Sequence, residues 1–148
     1  MTNVTLAQAS TVVDAALEKG AELGLAPLTV AVLDMGGHLV AFKREDKSGI
    51  LRGDIAIGKA WGALGMGFGS REIANRASKL PVFFTALTSV SQGRLVPVPG
   101  GVLILDRNME LIGAVGISGD TSDNDELCAI AGIEAAGLMP QAGAAADS

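Results

Sequence analysis

Two short runs of strand-forming residues, joined by Asp34-Met35-Gly36-Gly37, constrain the fold of this chain more than any other stretch. LTVAVL (28–33) reads as one strand and HLVAF (38–42) as the next, because β-branched and large apolar residues suit a pleated, half-buried surface. Gly36 and Gly37 supply the positive φ that a tight hairpin demands. The Asp34 carboxylate is placed to accept hydrogen bonds from the turn backbone. Strands joined this closely pair antiparallel. A second pair follows the same plan: Val102–Leu105, a turn at Asp106-Arg107-Asn108-Met109, and Glu110–Ile117. Between the pairs, QGRLVPVPGG (92–101) holds a short edge strand at best, since Pro97 and Pro99 donate no ladder bond.

Helical periodicity surrounds these hairpins. Thr5 and Gln8 have the spacing of a capping box. Leu6, Ala9, Val13, Ala16, Leu17 and Leu23 then recur on one face until Gly24. Leu51–Met66 reads as a second helix, with Gly58, Gly62, Gly65 and Gly69 at intervals of four, three and four. Each glycine costs a helix interior about 1 kcal/mol against alanine. The run therefore implies close approach by a second helix, a flat ligand or a neighbouring subunit; beyond Gly65 a plain loop is the competing description. Gly113 and Gly116 leave similar room inside a strand. Ser70 is placed to cap a helix over Arg71–Leu80, and Pro81 ends it or opens the turn into 82–90. Phe83 and Phe84 read as core rather than as a ligand platform. The last helix is expected from Asp123 to about Ala136, capped by Ser122 or by Asp123 with Glu126. Helix, hairpin, helices, loop, hairpin, helix is the order of an α+β domain: an antiparallel or mixed sheet of about five strands flanked by helices. Residues 1–140 form a single domain in this reading, and 141–148 a flexible tail.

A chain of 148 residues suffices for one core. Hydrophobic residues make up 49%, yet aromatics are only 3% and tyrosine is absent. Mean hydropathy of +0.41 is high for a monomer, so apolar surface is expected to be shared between subunits of a homo-oligomer. With a net charge of −5 and no clustered lysine and arginine, nucleic acid is not an expected partner. The lone cysteine, Cys128, permits no internal disulfide and suits a reducing, cytoplasmic compartment. No signal peptide and no membrane-spanning run are expected.

The sequence contains one histidine, His38, just past the first turn. An imidazole there is ordinarily a polar edge residue, but it is also where this chain suggests chemistry. Lys59 stands alone in an apolar helix, either reaching out to solvent along its stem or meeting an anionic group. GDIAIGKA (53–60) approaches a phosphate-binding loop but has Ala60 where a Mg²⁺-binding hydroxyl is needed, and no strand precedes it. Asp120, Asp123, Asp125 and Glu126 lack EF-hand spacing. One histidine and one cysteine make a poor zinc set, and no nucleophile elbow is present.

Four segments in order, DMGGHLVAFKRED, DIAIGKAWGAL, VPVPGGVLILDRN and LIGAVGISGDTSDNDELCAIAGI, together resemble the GlcG/HbpS-like family, related to the C-terminal domain of PduO-type adenosyltransferases. The resemblance covers about residues 5–138. It implies a profilin-like α/β/α fold with a five-stranded antiparallel sheet, homo-oligomers, a place in catabolic gene clusters, and haem or a related tetrapyrrole as ligand. On that basis His38 is the expected axial metal ligand, and Arg44 and Lys59 are expected to pair the propionates. Two other functions fit the same residues. One is an enzyme on a small organic acid or carbonyl compound, with His38 as acid/base and Arg44 or Lys59 binding the carboxylate. The other is an accessory or assembly protein without a ligand.

Overall fold

The computed structural model describes residues 2–143. Its elements are α1 (Leu6–Glu22), β1 (Thr29–Asp34), β2 (Leu39–Arg44), α2 (Arg52–Met66), α3 (Ser70–Lys79), α4 (Pro81–Val90), β3 (Gly101–Leu105), β4 (Leu111–Ser118), α5 (Ser122–Ala135) and β5 (Met139–Gln141). The five strands form one antiparallel sheet in the order β2-β1-β4-β3-β5.

Alternation along the strands divides the core into layers. Val30, Val32, Val102, Ile104, Val115 and Ile117 point to α1 and α5, where Val12, Val13, Ala16, Cys128, Ala129 and Ile133 meet them. Leu33, Leu103 and Ala114 point the other way, onto Ala60 and Ala63 of α2. A third, smaller cluster of Ile73, Phe84 and Leu95 seats α3 and α4 beyond α2. Each fully buried branched side chain contributes about 1.5–3 kcal/mol. Among the described residues, no helix is long and apolar enough to cross a membrane.

The capping box of α1 forms as expected: the Thr5 side chain accepts from Gln8 N at 3.1 Å, and the Gln8 side chain accepts from Thr5 N at 2.9 Å. The other caps differ. Ser70 does not cap α3, whose N-cap is Gly69. Its hydroxyl accepts from Gly101 N at 2.7 Å and so ties α3 to β3. The N-cap of α5 is Thr121, which accepts from Asn124 N, rather than Ser122 or Asp123. Residues 81–90 are helical, and Pro81 opens that helix at a position that needs no N–H. Only Phe84 of the phenylalanine pair joins the core; Phe83 is exposed. No strand forms in 92–100. The fifth strand is Met139–Gln141 on β3, one residue into the segment assigned to the tail, and residues 144–148 of that segment lie outside the described residues.

The glycines explain how closely the layers meet. At Gly116 of β4 an added Cβ would strike the Ala56 carbonyl of α2, so helix backbone rests directly on the sheet. Gly58 and Gly62 of α2 face the 94–96 segment, a loop of the same chain rather than a helix, ligand or second subunit. Gly69 lies outside the helix, against Ala142. Gly65 differs from all of these: among the described residues, a Cβ there would meet nothing within 4 Å.

Candidate functional site

The β1–β2 turn presents His38 through a set of bonds centred on Asp34. Asp34 Oδ1 accepts from Gly36 N at 2.9 Å and His38 N at 3.0 Å, while Asn3 accepts from Met35 N at 2.8 Å. Gly37 takes a φ of +79°. The imidazole folds back over Gly36, where a Cβ would sit 2.6 Å from its Cε1. Its Nδ1 lies 3.2 Å from Asp34 Oδ1. A carboxylate beside that nitrogen favours the tautomer with its proton on Nδ1, which leaves the lone pair on Nε2. Burial pushes the Asp34 carboxyl upward, but the backbone N–H groups of His38 and Gly36 outweigh it and hold the group below its ordinary value. The acceptor therefore stays ionised. The imidazole side chain is 80% exposed in the single chain.

Beside this turn lies a hollow of about 170 Å³, walled by Met35, Gly36, Gly37, Trp61, Leu64 and Gly65. Gly37 packs on the indole edge; a Cβ there would be 3.2 Å from Trp61 Cδ1. The Arg94 guanidinium covers the same indole, 4.1 Å from its centre. Neither Trp61 nor Arg94 was expected from sequence as part of the site. The signal was slight: one tryptophan in an apolar helix resembles core.

The two cations expected near His38 lie elsewhere. Arg44 ends β2, six residues from His38 and, at strand rise, roughly 20 Å away. Its Nη1 donates to Ser48 O at 2.7 Å, beside an open groove with Gly20, Leu25, Pro27 and Glu45. Lys59 is not a surface residue. Its Nζ donates to Ile117 O at 2.8 Å and Asp125 Oδ2 at 3.1 Å, with both side chains almost wholly buried. The anion Lys59 meets is the protein's own. Room for this comes from Gly100, where a Cβ would lie 2.9 Å from Nζ. Burial pushes Lys59 down and Asp125 up, each toward neutrality, while their mutual attraction opposes both shifts. Asp125 thus serves this pair, and its Oδ1 accepts from Asp120 N. Asp123 and Glu126 pair with Arg71, and Asp120 accepts from Ala26 N and Asn124.

Comparison with known proteins agrees with the architecture. The family described as "Haem degrading protein HbpS-like" matches residues 4–134. An uncharacterized 15.0 kDa protein in the dhaT-dhaS intergenic region of Citrobacter freundii is 32% identical over 126 residues, covering 85% of this chain and 87% of that protein. The crystal structure of Klebsiella pneumoniae protein ORFY superposes with a TM-score of 0.82 at 29% identity, covering 93% of this chain and 92% of that one. The PduOC:heme complex shares the fold with a TM-score of 0.84 at 24% identity, over 97% of this chain and 100% of that one. With the match spanning nearly every described element, from the approach to α1 to the end of α5, this chain belongs to the HbpS-like family.

Proposed function

We propose that this protein binds haem or a related tetrapyrrole, with His38 as axial ligand. The observation that carries the reading is the exposed imidazole with its Nδ1 beside Asp34, next in the chain to Gly36 and Gly37, which wall the hollow. A carboxylate at the second ring nitrogen is how ligating histidines are oriented. The family's description, which names haem, supports the choice of ligand class.

The residues fit such a group as one wall of its site. A hollow of about 170 Å³ is below the ~300–1,000 Å³ of a complete small-molecule pocket. The exposed imidazole and the exposed Leu39 next to it call for a second wall, which we assign to another copy of this chain. When bound, haem would supply a redox-active iron centre. The protein's part is to hold Nε2 in line, keep Asp34 ionised and exclude water from one side. Arg44 and Lys59 do not join His38 in this arrangement: one lies at the far end of β2 and the other is consumed by Asp125.

The Asp34–His38 pair also supports a second reading, in which His38 is the acid/base group of an enzyme acting on a small organic acid or carbonyl compound. One experiment separates the two. Hemin is titrated into wild type and His38→Ala while the Soret band is followed, with small organic acids and carbonyl compounds run beside it in a thermal-melt assay. A Soret shift in wild type that His38→Ala abolishes is the expected result. A shift unchanged in the variant removes His38 as ligand. No shift, with a raised melting temperature from a metabolite, selects the enzyme.

A further inference from the structure

We infer that Trp61, Gly65 and Arg94 form a seat for a planar conjugated ring that bears a carboxylate arm. The choice of a porphyrin as that ring rests on the reading of His38 given above; the seat itself rests on separate observations.

Trp61 and Gly65 are four residues apart on α2 and share a face. Glycine near the end of a helix is unfavourable by up to about 1 kcal/mol against alanine, and at Gly58 and Gly62 contact with the 94–96 segment accounts for it. At Gly65 nothing among the described residues does. Yet Gly65 walls two hollows at once: the one shared with Met35, Gly36, Gly37 and Leu64, and another of about 160 Å³ shared with Met66, Leu87, Val90 and Leu95. Trp61 lies between them and belongs to both. Bare backbone beside a half-buried indole lets a flat ring come to van der Waals distance, and aromatic faces prefer such offset stacking.

Arg94 adds the polar element from an adjoining hollow of about 350 Å³, which it walls with Asp54, Ile57 and Gly58, and it reaches the seat through its contact with the indole. Its Nε donates to Ser91 O at 3.2 Å and its Cζ lies over the indole, so the guanidinium is held in place before any ligand arrives. Among the described residues no carboxylate forms an ion pair with it. A guanidinium held over an indole in this way suits pairing with a carboxylate. The role sought for Arg44 and Lys59 therefore falls to Arg94. Because Gly37 touches the indole and His38 follows Gly37, seat and imidazole are contiguous.

Trp61 is the only tryptophan, so its emission reports this site alone. The probe is iron-free protoporphyrin IX, which does not require His38 as a metal ligand. Wild type is expected to show saturable quenching. Arg94→Gln should bind about tenfold more weakly, the size of one lost charge-assisted bond, and Gly65→Leu should not saturate. Since a side chain at position 65 enters open space, Gly65→Leu should melt no lower than wild type. No saturable quenching in wild type, or wild-type affinity in both Arg94→Gln and Gly65→Leu, would overturn the seat. Porphyrin quenching without a His38-dependent hemin Soret shift would instead overturn the axial ligand and leave the seat standing.

Discussion

At the scale of single residues, Lys59 and Asp125 show how one buried charge depends on another. The ammonium also holds the Ile117 carbonyl, and the carboxylate also holds the Asp120 N–H, so each is satisfied only while the pair is intact. Removing one partner strands the other in a low-dielectric interior, at a cost of about 3–5 kcal/mol. Lys59→Met should therefore lose that much stability in urea denaturation, and Lys59→Met with Asp125→Leu should recover most of it. Equal losses in the single and double variants would mean that packing, not charge, holds this place. The pair also shows the limit of reading along a chain. Its members are 66 positions apart, and Asp125 sits among helix-start carboxylates whose sequence context already has a sufficient explanation. Trp61 was hidden similarly, because an indole in an apolar helix has the same periodicity whether it faces the core or a hollow.

At the scale of elements, the glycines of α2 and β4 divide by what lies opposite them. Gly116 carries the weight of the Ala56 carbonyl, whereas Gly65 faces open space. Gly65→Ala should raise stability by up to about 1 kcal/mol through helix propensity. Gly116→Ala should lower it by several times that, on the order of 3 kcal/mol, as α2 is lifted from the sheet. Thermal melts of the two variants check the signs; a loss in Gly65→Ala would show that the space is not empty. The spacing of these glycines was legible in sequence because helical period is local. What met them was not, because the loop carrying Arg94 lies some thirty residues further on. Locality sorts the other elements too. The Thr5–Gln8 cap and both hairpins are decided within a few residues and were legible. The cap of α5 was displaced to Thr121 since Thr121, Ser122 and Asp123 can all serve. β5 was missed because three residues around a proline carry no strand signal.

At the scale of the whole molecule, apolar surface gathers in two places: at the start of α4, where Leu80, Val82 and Phe83 are exposed, and on the β2 side. Leu39 and Phe42 are exposed on the edge strand, Phe42 lies against Gly53, and Ile50 and Leu51 project just before α2, Ile50 at 96% exposure. Isolated apolar residues are common on surfaces, but this grouping beside an unpaired strand edge suits a partner. Light scattering should give a mass that is a multiple of the 14.9 kDa chain, and Leu39→Lys with Phe42→Lys should reduce it to one chain. A single-chain mass for wild type would remove the second wall assigned to the His38 site.

The opposite border of the sheet behaves differently. β5 is three residues long, and its central residue, Pro140, brings no N–H to offer an incoming strand. Among the described residues β2 is thus the one margin able to template further pairing, and Lys43 there is already engaged by Asp14 of α1. Endless ribbons need two receptive margins on every molecule. Copies meeting along β2 close on each other and leave only blunt ends outside, so crowding this chain should yield discrete particles and not cross-β fibres.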